Sequence, residues 1–139
     1  MQIICLFRSD GFGNSLRALK YALKRCSPRK QARIHLLNVQ QPLPASSFVT
    51  RGMIAEYYQL ESTAVLAKAR KLLSTYRLNS EIAVRIGEPA KTIVKVASRS
   101  RCSEIVTGTR GLGTLSGLLL GSVTTKVIHL TCMPVTAVP

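Results

Sequence analysis

The sequence predicts an α/β protein, a three-layer arrangement in which an open, mostly parallel sheet of five strands is covered by helices on both faces. Three observations carry this reading. Short apolar runs alternate with longer amphipathic segments along the whole chain, the pattern of strands joined by helical crossovers. The 139 residues, 46% of them hydrophobic, suffice for one substantial core and so for a single domain over residues 1–139. A glycine-rich stretch also stands between an apolar run and a helix start.

Gln2 to Ser9 is a short apolar run suited to a buried strand, and Asp10 to Ser15 is a polar turn leading into a helix that begins near Asn14 or Ser15. On that helix Leu16, Leu19, Ala22 and Leu23 share one face while Arg17, Lys20 and Lys24 share the other, and Ser27-Pro28 ends it. Arg33 to Val39 is the second strand. Pro42 and Pro44 keep the following stretch out of the ladder, because proline has no N–H to donate. Arg51 to Tyr76 is the longest helix, with Met53, Tyr57, Leu60, Ala64, Ala67 and Leu72 among its expected inward residues. Glu81 to Ile86 alternates apolar and charged residues as a third strand with one more exposed face. Pro89 suits the first turn of a helix whose inward side is Ile93, Val94, Val96 and Ala97. Glu104 to Thr107 is the fourth strand, Ser122 to Leu130 the last helix and Met133 to Val138 the last strand.

Composition excludes several classes. Cys5, Cys26, Cys102 and Cys132 are far apart and form no C-x-x-C pair, and His35 and His129 are the only histidines, so neither a zinc site nor a disulfide framework is indicated. Cys5, in an apolar strand, is expected as a buried thiol. No run is long enough for a signal peptide or a membrane span, and a cytoplasmic location is expected. Twenty Lys and Arg against six Asp and Glu give a formal charge of +14, so anionic partners are expected, nucleic acid or another polyanion among them. The plainer reading of the same charges is solvated helix faces, and aromatic residues are too few to form a stacking platform.

The chemistry concentrates in Gly108 to Ser122, where glycines at 108, 111, 113, 117 and 121 allow positive φ and close approach of a ligand to the backbone. Ser122 and Thr124 add hydroxyls, and the first turn of the following helix adds unpaired N–H groups. The alternative is a glycine-rich surface loop with Ser122 as an ordinary helix cap. Gly121 is followed by Ser122 rather than lysine, so this is not a Walker A loop, and Leu16 replaces the third glycine that Gly11-Phe-Gly13 would need for a dinucleotide fingerprint. In an open α/β sheet, ligands lie beyond the carboxyl ends of the strands where strand order reverses. The loops after Asp10, after Val39 and from Gly108 to Gly121 are therefore expected together. No serine has a matched histidine and acid, and no paired carboxylates occur, so binding is indicated rather than catalysis.

Gly108-x2-Gly111-x9-Gly121-Ser122 resembles the nucleotide motif of the universal stress protein family, and the resemblance extends to nearly the whole chain. It implies a Rossmann-like fold of the adenine nucleotide alpha hydrolase kind and, with this loop, ATP binding. By the same match Asp10 would contact the adenine side, Val39 would meet adenine through its backbone, and Gly108, Arg110, Gly111, Gly121, Ser122, Val123 and Thr124 would hold ribose and phosphates. Magnesium would arrive with the phosphates, with Ser122 or Thr124 supplying an oxygen. Ser9-Asp10-Gly11-Phe12 departs from the family's usual Val-Asp-Gly-Ser, which bears on the adenine pocket more than on the phosphate loop. The expected function is an ATP-binding regulatory protein; a slow ATPase on the same scaffold and a basic interaction module are the alternatives. The apolar, uncharged Val135 to Val138 is expected at a sheet edge and, by the resemblance, as the seam of a homodimer.

Overall fold

The computed structural model describes residues 2–6, 12–29, 31–43, 49–109 and 120–139, with side chains from Ser15 onward apart from Val65. Five strands, β1 (Gln2–Leu6), β2 (Arg33–Gln40), β3 (Asn79–Ile86), β4 (Glu104–Gly108) and β5 (Val135–Val138), alternate with four helices, α1 (Phe12–Cys26), α2 (Arg51–Ser74), α3 (Pro89–Arg99) and α4 (Ser122–Leu130). The strands form one sheet in the order β3-β2-β1-β4-β5, and every neighbouring pair is parallel. α1 starts two residues before the expected Asn14 and β3 two before Glu81.

Alternation along β2 sets the layers. Ile34 and Leu36 join α1 and α2 in one core with Leu19, Leu23, Leu66, Ala69 and Val106. Leu37 and Val39 point the other way, into a second core with Ile93 and Ala97 of α3, Val127 of α4 and Ile105. Each fully buried Leu or Ile contributes roughly 1.5–3 kcal/mol. Because β2 and β4 feed both cores, the sheet is covered on both faces as the sequence implies.

Burial corrects the reading of α2. Met53, Tyr57 and Leu60 are exposed, at 55%, 45% and 65%, and Ala64 and Ala67 are exposed as well, while Tyr58, Leu66, Ala69 and Leu73 are buried. The apolar residues of this helix are spread round its circumference, so periodicity does not single out a face. Tyr58 is held by a specific contact instead. Its hydroxyl donates to the carbonyl of Gln41 (2.8 Å) and accepts from the N–H of Leu43 (2.6 Å), binding α2 to the loop after β2.

The base of the sheet is tied by a buried carboxylate. Arg25 Nη1 reaches both oxygens of Glu104, at 2.6 and 2.7 Å, and the hydroxyl of Thr136 donates to the same carboxylate, so α1, β4 and β5 meet there. The attraction of Glu104 raises the Arg25 pKa further above its ordinary value. No helix among the described residues is long and apolar enough to cross a membrane.

Candidate functional site

Strand order reverses between β1 and β4: the chain passes from β1 to β2 on one side and reaches β4 on the other. The carboxyl ends of these strands and the start of α4 face one edge of the sheet, where α/β proteins bind ligands. Val39 and Gly108 both stand at this edge, separated by β1 and so by about 10 Å, two strand spacings. The Val39 side chain is buried in the core on the α3–α4 side, which leaves its backbone at the strand end.

The loop between β4 and α4 is closed at its base. The N–H of Thr109 donates to the carbonyl of Val138 (2.9 Å), and the N–H of Gly121 donates to the carbonyl of Thr109. The hydroxyl of Thr124 donates to the carbonyl of Gly108 at 3.0 Å, and Thr107 Oγ1 donates to the same oxygen at 3.2 Å. These contacts set the first turn of α4 directly above the end of β4. Gly108, Gly121, Ser122, Val123 and Thr124 are thus brought together; Asp10, Arg110 and Gly111 lie outside the described residues, and so does the side chain of Cys5.

The start of α4 differs from those of α2 and α3. α2 is capped by Thr50, whose hydroxyl accepts from the N–H of Met53, and α3 by Glu88, whose carboxylate accepts from Ala90 and Lys91. The N-cap of α4 is Gly121, with no side-chain capping bond and no acid in the first turn. Ser122 is therefore the first helical residue rather than the cap. The first intrahelical donor is Thr125, bonded to the Gly121 carbonyl at 3.0 Å, so the N–H groups of Ser122, Val123 and Thr124 precede the ladder. Among the described residues these three N–H groups have no partner, and with the positive end of the helix dipole they suit an anion.

Two features were not legible in the sequence. Gly121 has φ −69° and ψ 161°, ordinary extended backbone, so its glycine is not required by a positive φ. Thr109, not among the expected site residues, is only 8% exposed, and its hydroxyl has no hydrogen-bond partner among the described residues. A buried hydroxyl without a partner is costly unless a ligand or water meets it. Only its position directly after Gly108 hinted at it.

The architecture and the loop are those of a known group. The Universal stress protein family model matches residues 5–139. Universal stress protein MJ0531 of Methanocaldococcus jannaschii is 29% identical over 133 residues, 94% of this chain and 78% of that protein. Universal stress protein YxiE of Bacillus subtilis is 28% identical over 136 residues, 91% of each. Among solved structures, a universal stress protein in complex with cAMP superposes with a TM-score of 0.72 at 24% identity, covering 99% of this chain and 97% of that one. One from Archaeoglobus fulgidus in complex with dAMP gives 0.68 at 22%, covering 100% and 98%. One from Arabidopsis thaliana with AMP bound gives 0.67 at 18%, covering 99% and 90%. With a five-stranded parallel sheet reversing at β1 and β4, a helix start at Gly121 without a side-chain cap and a family match over nearly its full length, the chain belongs to the universal stress protein family.

Proposed function

We propose that this chain binds an adenine nucleotide, ATP foremost, at the edge between β1 and β4, and acts as a cytoplasmic regulatory protein whose nucleotide occupancy orders the glycine loop. Two adjacent observations carry the reading: α4 alone among α2, α3 and α4 has no side-chain cap, and the buried Thr109 hydroxyl beside it has no partner among the described residues. Donors and a hydroxyl are left for a phosphate. Structural relatives holding cAMP, dAMP and AMP support an adenine nucleotide as the ligand class.

In this reading Asp10 and the Val39 backbone meet adenine, and Gly108, Arg110, Gly111, Gly121 and the N–H groups of Ser122, Val123 and Thr124 hold ribose and phosphates. Thr109 joins them. Magnesium accompanies the phosphates, with Ser122, exposed at the first helical position, better placed than Thr124, whose proton goes to Gly108. β5 lies at the sheet edge, and pairing of two copies there gives the homodimer.

Thermal unfolding of the wild type, Gly121→Val and Thr109→Val with ATP, AMP and cAMP tests the site. Ligand at a hundred times its dissociation constant stabilises the native state by about 2.7 kcal/mol. Gly121→Val is expected to lose most of that gain. Thr109→Val is expected to be at least as stable as wild type without ligand yet to gain less with it, since an unmet hydroxyl has been removed. Equal gains in all three proteins would overturn the assignment.

A further inference from the structure

Part of the chain's formal charge of +14 gathers at one edge of the sheet. Helices in a parallel α/β sheet run opposite to the strands, so their C-termini gather at the edge away from the nucleotide site. Three helix-to-strand passages meet there, and each brings exposed cations: Lys24 in the last turn of α1 and Arg33 at the start of β2, Lys71 in the last turn of α2 and Arg77 between α2 and β3, Arg99 at the end of α3 and Arg101 between α3 and β4. They lie along the β3-β2-β1-β4 span, three strand spacings or about 14 Å. Of the described carboxylates near them, Glu104 is buried and bound to Arg25, and Glu81, beside His35, is the exposed one, a single negative charge against six cations.

Arg101 adds an independent observation. It follows the C-cap Ser100 of α3 with φ 51°, while Cys102 N–H bonds to Ala97 (2.9 Å) and Arg101 N–H to Ser98 (3.1 Å). This is a helix ending that ordinarily takes glycine, because a side chain is strained in the left-handed region. An arginine held where glycine would be more stable places a guanidinium on this edge against the local backbone preference.

We propose that this edge is a docking surface for the phosphate backbone of double-stranded nucleic acid, bound without sequence preference and independently of nucleotide at the opposite edge. A duplex fits better than a bilayer, because none of the exposed large apolar side chains falls on these three connections. It fits better than a single strand, because the nearest described aromatics, Tyr21 and Tyr76, are taken up by the Arg25 guanidinium and by the core and offer no row of faces for stacking bases.

The test is binding of a labelled duplex of about 20 base pairs across a salt series, where each phosphate contact contributes a slope of about 0.9 in log K against log salt. Arg77→Gln combined with Arg101→Gly is expected to lower the slope by about 1.8 and weaken binding by roughly 50-fold at about 0.1 M salt. Lys91→Gln combined with Lys95→Gln, an equal charge loss on the outer face of α3, is expected to change affinity less than about threefold. Arg101→Gly alone should raise the melting temperature while weakening duplex binding, which separates lost contact from lost fold. Saturating ATP should leave duplex affinity unchanged. Equal losses in the two double variants, displacement of duplex by ATP, or binding to phosphatidylserine vesicles but not to duplex would each overturn the proposal.

Discussion

Thr124 donates its hydroxyl to the carbonyl of Gly108 at 3.0 Å, joining the first turn of α4 to the last residue of β4 across the base of the glycine loop. The bond fixes where the helix begins relative to the sheet. The N–H groups of Ser122, Val123 and Thr124 are consequently held at the sheet edge before any ligand arrives, so less ordering remains to oppose binding.

Thr124→Val keeps the shape of the side chain and removes the donor. It should cost about 1–2 kcal/mol, since the half-buried Gly108 carbonyl loses the shorter of its two hydroxyl donors and keeps the longer bond from Thr107. Denaturant unfolding measures the loss, and ATP titration should show weaker binding in the same variant. A variant as stable as wild type with unchanged ATP affinity would show that the contact does not position α4.

Glu88 supplies the acid-range sensitivity of α3. Its carboxylate accepts from Lys91 N–H at 2.9 Å and Ala90 N–H at 3.3 Å and lies 3.3 Å from Lys126 Nζ; the Lys91 bond is the main cause of a pKa below the ordinary carboxylate value. A carboxylate whose folded pKa is depressed contributes stability above its unfolded pKa and loses it as pH falls through the folded one. Melting temperatures of wild type and Glu88→Gln should therefore differ at neutral pH and converge below about pH 4, the acid end of the carboxylate range. A constant difference down to strong acid would remove Glu88 as the source.

The cysteines should differ in reactivity. Cys102 is buried, and desolvation pushes its thiol up to about 11, so almost none is thiolate at neutral pH. Cys132 is exposed. Brief alkylation of the native protein followed by peptide mass analysis should find Cys132 modified and Cys26 and Cys102 protected, until denaturant opens both cores. Early labelling of Cys102 would contradict its burial.

A single lysine at position 137 tests the dimer. Val135 packs against the α3–α4 core, so a charge there would disturb the fold as well as the edge, whereas Ala137 is not among the residues packed against either core. Ala137→Lys brings like charges together only if β5 meets its own copy. Sedimentation should show a wild-type dimer and a monomeric variant of unchanged melting temperature at low concentration; a wild-type monomer would exclude the β5 seam.

Much of the architecture was legible because its signals are local. On α1 the buried Leu19, Ala22 and Leu23 and the exposed Arg17, Lys20 and Lys24 follow from helical periodicity alone. Pro89 marked the start of α3, since a fixed φ and a missing N–H suit the first turn. On α2 the sequence points inward at Met53, Tyr57 and Leu60 and the structure does not, because apolar residues surround its first half and the choice of face rests on Tyr58 reaching the backbone of Gln41 and Leu43.

The same division runs through the site. The sequence by itself determined a glycine loop from Gly108 to Gly121, fed by a strand and followed by a helix start, because backbone freedom and helix initiation are properties of neighbouring residues. Only the tertiary structure decided what the threonines at its two ends, Thr109 just inside it and Thr124 just beyond it, do. Thr124 gives its proton to Gly108, sixteen residues away in the chain, while Thr109 is buried with its hydroxyl unmet among the described residues. The two side chains are chemically identical, and how α4 docks on the end of β4 sets which of them finds a partner.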